Sequence, residues 1–291
     1  MNLAELGLFY CAAVWGATFY LVKDSLASVS PEALVGYRFL LSAALLLPWV
    51  AKRKRKSLHL KESAILAALL SALYISQTIG LKYTTASNSG FVTGLFVIFV
   101  PLFLLVFFKK RPTPVQWIAS AIALLGLWVL TGGISKFNQG DGLTLIAAMT
   151  YAGHLLATDT YVRADADTVL LSFHQFWMTG AISLLFGAAR QASFTVAGRG
   201  AWGTIAFLAV FPTLSAFFIQ MIAQKKTTPI KVALIFSLEP VFAALFAWTL
   251  GGEPFVAARA TGGFLIVLAM IAGELSKLDL LRGRRKEVLP A

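Results

Sequence analysis

Among the ionisable side chains inside the apolar stretches of the chain, four stand out: Arg38, His154, His174 and Glu239. In hydrocarbon such a group costs roughly 2.5–3.5 kcal/mol on insertion scales, so each needs a partner, water or a task. Arg38 can hold an anion or carboxylate, or sit as structure against an acidic side chain or a helix C-terminus. Glu239 is the carboxylate expected to pair with it or to carry a proton. Either histidine qualifies as a proton-coupling group because it changes charge near neutral pH. As neutral imidazoles both would instead hydrogen-bond between helices. Arg38, His174 and Glu239 therefore form the candidate ion-pair and proton-coupling set.

Gln77, Asn88 and Gln220 suit the amine and carboxylate of a small polar solute, or the gluing of one helix to another. Trp15, Tyr20, Tyr74, Tyr151 and Trp177 offer surfaces for flat or apolar groups, although aromatic residues also form interfacial belts and cores. Trp15 and Tyr151 stand out because they fall at paired positions, as described below. His154 lies one turn beyond Tyr151. The expected cavity lining is thus Trp15, Tyr74, Gln77, Asn88, Tyr151, His154 and Gln220. Covalent chemistry has no visible agents. The chain has no His-Glu-x-x-His helix, no Gly-x-Ser-x-Gly elbow and no phosphate-binding loop ending in Lys-Ser or Lys-Thr. No catalytic residue, metal site or cofactor is expected.

The elements that position these residues follow from composition. The chain is 58% hydrophobic and 13% charged, with mean hydropathy +0.77. A soluble domain carries about twice that charged fraction. The net charge of +12 does not point to nucleic acid, because the basic residues lie between apolar runs and at the C-terminus. There they act as topology signals and lipid anchors. The lone Cys11 excludes an intramolecular disulfide and reads as a small buried apolar residue. The first apolar run lacks a basic leader and a small-residue cleavage site, so it reads as a retained helix.

Ten runs approach the roughly 20 residues that cross a bilayer: 3–22, 33–51, 63–81, 86–108, 114–131, 141–161, 169–189, 200–222, 229–250 and 256–274. Pro31, Pro112, Pro114, Pro229 and Pro254 fall at expected helix starts, where the missing donor costs little. Pro48, Pro101, Pro212 and Pro240 fall within or near span ends and should kink them, freeing a carbonyl. With the N-terminus inside, eighteen lysines and arginines face the cytoplasm and six face out, which predicts both termini cytoplasmic in a prokaryotic inner membrane.

The chain also repeats itself. Leu81-Lys82-Tyr83-Thr84-Thr85 leads into one apolar run that reaches Val100-Pro101. Gln224-Lys225-Lys226-Thr227-Thr228 leads into another that reaches Glu239-Pro240. At an offset of 136, Trp15-Gly16 falls on Tyr151-Ala152, Tyr37 on Phe173 and Arg38 on His174. The expected architecture is an all-α polytopic membrane protein of ten transmembrane helices. It forms two five-helix repeats, 1–135 and 136–275, with a basic cytoplasmic tail, 276–291. Five spans per copy force opposite orientations, an arrangement that builds a site able to open to either side. Pro101 lies fifteen residues after Ala86, and Pro240 lies eleven after Pro229. The first copy is therefore expected to carry about one extra helical turn. Gly90 and Gly94, and Ala258 with Gly262, read as surfaces for close helix packing.

These motifs carry a resemblance. Val14-Trp15-Gly16-Ala17-Thr18-Phe19, Tyr37-Arg38-Phe39, Thr84-Thr85-Ala86-Ser87-Asn88 and Leu238-Glu239-Pro240-Val241-Phe242-Ala243-Ala244-Leu245-Phe246-Ala247, closed by Gly252-Glu253, resemble an EamA-type member of the drug/metabolite transporter superfamily along almost the whole chain. The resemblance implies a ten-helix basket with an inverted repeat and a central cavity. It also implies export of amino acids or related metabolites, as by aromatic amino-acid exporters of the YddG type. The first copy departs from the pattern, with Val100-Pro101 for Glu239-Pro240 and Lys110-Arg111-Pro112 for Gly252-Glu253-Pro254. The expected function is secondary transport of a small metabolite, foremost an aromatic or neutral amino acid, by a monomer in contact with lipid. The alternative is transport or flipping of another solute, such as a drug, nucleoside or lipid-linked metabolite. Glu239 and the histidines permit proton coupling, while facilitated diffusion needs none of them.

Overall fold

The structure is a computed structural model and describes residues 2–55, 57–132, 137–249, 255–258 and 260–272. The basic tail, Gly252-Glu253 and Pro254 lie outside these residues. Every regular element among them is helical: α1 (Leu3–Ser25), α2 (Pro31–Ala51), α3 (Leu60–Gly80), α4 (Ala86–Gly94), α5 (Phe96–Val106), α6 (Pro114–Thr131), α7 (Gln139–Arg163), α8 (Thr168–Ala189), α9 (Gly198–Leu208), a π-helical segment (Ala209–Ser215), α10 (Ala216–Gln224), α11 (Pro229–Phe236), α12 (Glu239–Thr249) and α13 (Ala260–Ala272). These form ten rods, because α4 continues into α5, α9 into α10 and α11 into α12. Seven rods are long and apolar enough to cross a membrane, and α6 and α13 are shorter apolar helices. α7 is more polar than these and packs between α3, α4, α5 and α10.

Local chemistry explains the starts. Ser30, Thr113 and Thr228 cap α2, α6 and α11, each followed by proline at the first helical position. The second threonine of each Thr-Thr phrase is an N-cap. Thr85 Oγ1 accepts from the Asn88 amide at 3.1 Å, and Thr228 Oγ1 from the Lys231 amide at 3.3 Å. Asn2 with Glu5 and Asn138 with Asp141, 136 residues apart, form matching capping boxes on α1 and α7.

The helix that follows each Thr-Thr phrase is broken, at Leu95 in one half and at Ser237–Leu238 in the other. Leu95 and Leu238 each lie ten residues past the capping threonine. The expected extra turn is therefore absent before the break. Pro101 sits inside α5, whereas Pro240 opens α12, so the two prolines are not equivalent. The position matching Glu239 is Phe96, not Val100, and each is the first residue of the second half-helix. Pro212 falls in the π-helical segment, where its missing amide disrupts the regular ladder.

α2 lies along α8, α3 along α7, and α1 along α12 and α10. The buried centre is aromatic, with Phe39, Phe96, Phe176, Phe217 and Phe236 around Trp15, Tyr74 and Tyr151. At the crossing of α6 and α13 the backbones touch. A Cβ on Gly126 would lie 2.7 Å from the Gly262 carbonyl oxygen, and one on Gly262 2.5 Å from that of Gly126.

Hydrogen bonds tie both ends. At one end Lys23 Nζ donates to the carbonyls of Leu81 (2.8 Å) and Thr84 (2.6 Å), and Thr84 Oγ1 donates to Asp141 Oδ1 (2.6 Å). At the other, Arg163 donates to the carbonyls of Gln224 (2.9 Å) and Thr227, and Lys231 Nζ meets Glu5 Oε1 (2.5 Å). The Lys23 end of α1 thus lies with the Asp141 end of α7, so the two helices run in opposite senses.

Candidate functional site

A small cavity opens where the broken α11/α12 rod meets α1, α3, α4, α7 and α10. Its walls are Trp15, Thr18, Leu73, Tyr74, Gln77, Thr93, Tyr151, Phe217 and Glu239, and its volume is ≈ 20 Å³, room for a water-sized group. Glu239 arrives there because the break at Ser237–Leu238 makes it the first residue of α12. Gly16 lets α1 approach at that point, since a Cβ on it would meet the Glu239 carbonyl oxygen at 2.6 Å. The Glu239 side chain is 94% withdrawn from solvent, and its Oε2 has no hydrogen-bond partner among the described residues. The Tyr151 hydroxyl is buried and equally unpartnered. Buried polar atoms are usually hydrogen-bonded, so two orphaned oxygens in one cavity call for a partner such as water or a bound polar group.

Rings complete the walls. Trp15 meets Tyr151 edge-on at 6.2 Å and Phe217 at 5.3 Å, and Tyr74 meets Phe217 at 6.3 Å. The Trp15 indole donates to the Pro212 carbonyl at 2.7 Å, so the π-helical segment fixes the ring that faces Glu239. The Gln77 amide donates to Thr93 Oγ1 at 3.0 Å.

Arg38 forms no ion pair with Glu239, contrary to the expectation above. It is buried, its Nε donates to Thr213 Oγ1 at 2.5 Å, and its Nη2 to the Tyr74 hydroxyl at 3.3 Å. The guanidinium lies 4.5 Å from the centre of the Tyr74 ring. Thr213 in turn donates to the Leu208 carbonyl (2.7 Å), the one an ordinary helix would pair with the amide that Pro212 lacks. Arg38 is therefore bonded to the π-helical segment and to Tyr74, and Tyr74 rather than Arg38 lines the cavity.

The structure brings together Trp15, Tyr74, Gln77, Tyr151 and Glu239, and places the other candidates elsewhere. His154 is buried behind Phe217 (ring centres 5.7 Å apart), with Nε2 on Gln175 Oε1 at 3.0 Å. Gln220 bonds Gln224 at 3.0 Å, further along α10. Asn88 is half-buried in the first turn of α4. His174 accepts from the Trp177 indole at 3.1 Å. All four stand outside the cavity because each projects from another face or turn of its helix. Tyr20 and Trp177 are exposed on the outer surface. Sequence reasoning missed Thr18, Leu73, Thr93 and Phe217. Thr18, one turn from Trp15, was the findable one. Among the described residues no cluster of three or more His, Cys, Asp or Glu could hold a metal ion.

Comparison with known proteins agrees with this architecture. The model of the EamA-like transporter family matches twice, over residues 2–132 and 138–272. An uncharacterized transporter of Archaeoglobus fulgidus is 33% identical over 92% of this chain and 84% of its own length. YedA, an uncharacterized inner membrane transporter of Escherichia coli, is 26% identical over 93% and 90%. A crystal structure superposes with a TM-score of 0.81 over 95% of this chain and 98% of that one, at 20% identity, which speaks to the fold alone. Ten rods, apolar spans and both matches of the family model lead to one conclusion: this chain is a multi-pass membrane protein and belongs to the EamA-like transporter family.

Proposed function

We propose that this transporter is a secondary carrier of a small metabolite, first among them a neutral or aromatic amino acid, and that it exports it by alternating access between two inverted five-helix repeats. The observation that carries the reading is the cavity itself. It lies in the centre of the bundle, draws walls from both halves, and contains a buried carboxylate at a broken helix, as carriers with discontinuous helices do. The double family match and the paired capping boxes support the repeat. So do the opposed senses of α1 and α7 and the ties on equivalent carbonyls at opposite ends, Leu81 and Thr84 against Gln224 and Thr227. The basic loops support a cytoplasmic location for both termini. A terminal tag reached by a membrane-impermeant reagent on intact cells would overturn that orientation.

The substrate reading is tested with purified protein in liposomes and radiolabelled neutral amino acids. Saturable flux that excess unlabelled substrate suppresses is the expected result. Flux of another solute class with none of any amino acid would end the amino-acid assignment. Repeating the measurement with an imposed pH gradient tests proton coupling through Glu239, and a rate indifferent to the gradient would end it.

A further inference from the structure

The cavity beside Glu239 has an electrical sign. Glu239 is 6% and Tyr151 5% exposed, and each keeps one oxygen without a hydrogen-bond partner among the described residues. Glu239 takes part in none of the ion pairs formed among those residues. Arg38 does not line the cavity; it donates to Thr213 and to the hydroxyl of Tyr74, and it is Tyr74 that forms the wall. The remaining walls are the rings of Trp15, Tyr74, Tyr151 and Phe217, which are electron-rich on their faces, with Leu73 and the uncharged Thr18, Gln77 and Thr93 between them. A carboxylate among ring faces repels anions and leaves a neutral apolar group nothing to bond. It favours a compact cation that donates hydrogen bonds. A volume of ≈ 20 Å³ takes a head group and not a whole solute.

We propose that this cavity is an ammonium subsite: the protonated amine of a substrate lies between Glu239, its counter-ion, and the rings of Trp15, Tyr74 and Tyr151. This rests on the transport reading and specifies which part of the substrate the cavity holds. The matching position in the other half is Phe96, so the subsite belongs to one repeat only. A lone carboxylate withdrawn from water is stable only with a proton or a cation beside it. Ammonium and proton therefore compete for Glu239, and amine release and proton uptake become the same event. The titratable groups facing the site are Tyr74 and Tyr151, with Arg38 behind Tyr74 and Cys11 and His154 on the flanking α1 and α7.

Equilibrium binding to the full-length protein in detergent tests this with phenethylamine, phenylalanine and 3-phenylpropionate, which share a ring and differ in charge, and with methylammonium. The amine-bearing probes should bind and 3-phenylpropionate should not. Glu239→Gln should weaken amine binding by about 30-fold or more, and Glu239→Asp should retain part of it. The subsite is overturned if 3-phenylpropionate binds as well as phenethylamine or if none of the three amine-bearing probes binds. It is equally overturned if Glu239→Gln leaves amine affinity within about threefold. Where Glu239→Gln fails to elute as a folded species, the unmodified protein decides. Amine affinity should fall from mildly alkaline to mildly acidic pH, and a flat profile overturns the proposal. Amino-acid flux that survives Glu239→Gln sinks the subsite and leaves transport standing. Amine binding without amino-acid flux sinks the substrate reading and leaves the subsite.

Discussion

At the scale of single residues, the polar groups sort into those that hold the fold and those that remain unsatisfied. Arg38, Thr213 and Trp15 belong to the first kind, since together they satisfy carbonyls around Pro212. Thr213→Val removes one hydroxyl that serves two bonds, one of them to a charge. It should destabilise the detergent-solubilised protein by about 2–3 kcal/mol in an equilibrium unfolding titration. Trp15→Phe keeps a ring and removes the indole's bond to the Pro212 carbonyl, so about 1–3 kcal/mol should be lost in the same assay. Glu239 and Tyr151 belong to the second kind. Five of the ten residues singled out from the sequence do line or enter the cavity. The others do not, for a physical reason. These helices are apolar on nearly every face, so no hydrophobic stripe shows which face turns inward. Arg38 was expected beside Glu239 because both are charges in apolar runs. Only the coordinates show that the proline-disrupted segment takes up the arginine.

At the scale of elements, the feature that matters is the break ten residues after each capping threonine. The Thr-Thr phrases were plain in the sequence, and their role as N-caps explains why the phrase recurs. The break was not plain, because the prolines drew the eye to Pro101 and Pro240. Proline is not the only way to break a helix, and the break at Leu95 occurs without one. The small-residue surfaces divide in the same way. Gly262 faces the backbone of α6, with Leu130 N and Gly126 O in the way of any Cβ, and main chain cannot step aside. Gly262→Ala should cost about 1–3 kcal/mol or more and lower the yield of folded protein. Gly90 has open space about its missing side chain. Gly90→Ala should be neutral or stabilising by up to about 1 kcal/mol in the same unfolding assay.

At the scale of the whole molecule, Lys23 and Arg163 perform one task at opposite ends. Each draws the end of its own repeat's first helix onto the carbonyls of the Thr-Thr turn. Lys23→Met should loosen the Thr84 end and Arg163→Met the Thr227 end. In a Cys11→Ala background, a reporter cysteine placed by Thr18→Cys should then label faster with an impermeant maleimide from the loosened side alone. Equal labelling from both sides in both variants would show that the ties do not govern access. Ten helical rods and a pattern that occurs twice were legible from composition and spacing. The ties were not, because they join carbonyls, which have no letter in a sequence. Gly126 and Gly262 add something further, since they lie where α6 and α13, the last helix of each half, cross. A crossing between equivalent helices is carried onto itself when the halves exchange roles. On the two-fold reading, the α6–α13 crossing is then a fulcrum. On that reading its distance stays constant while the two halves rock about it.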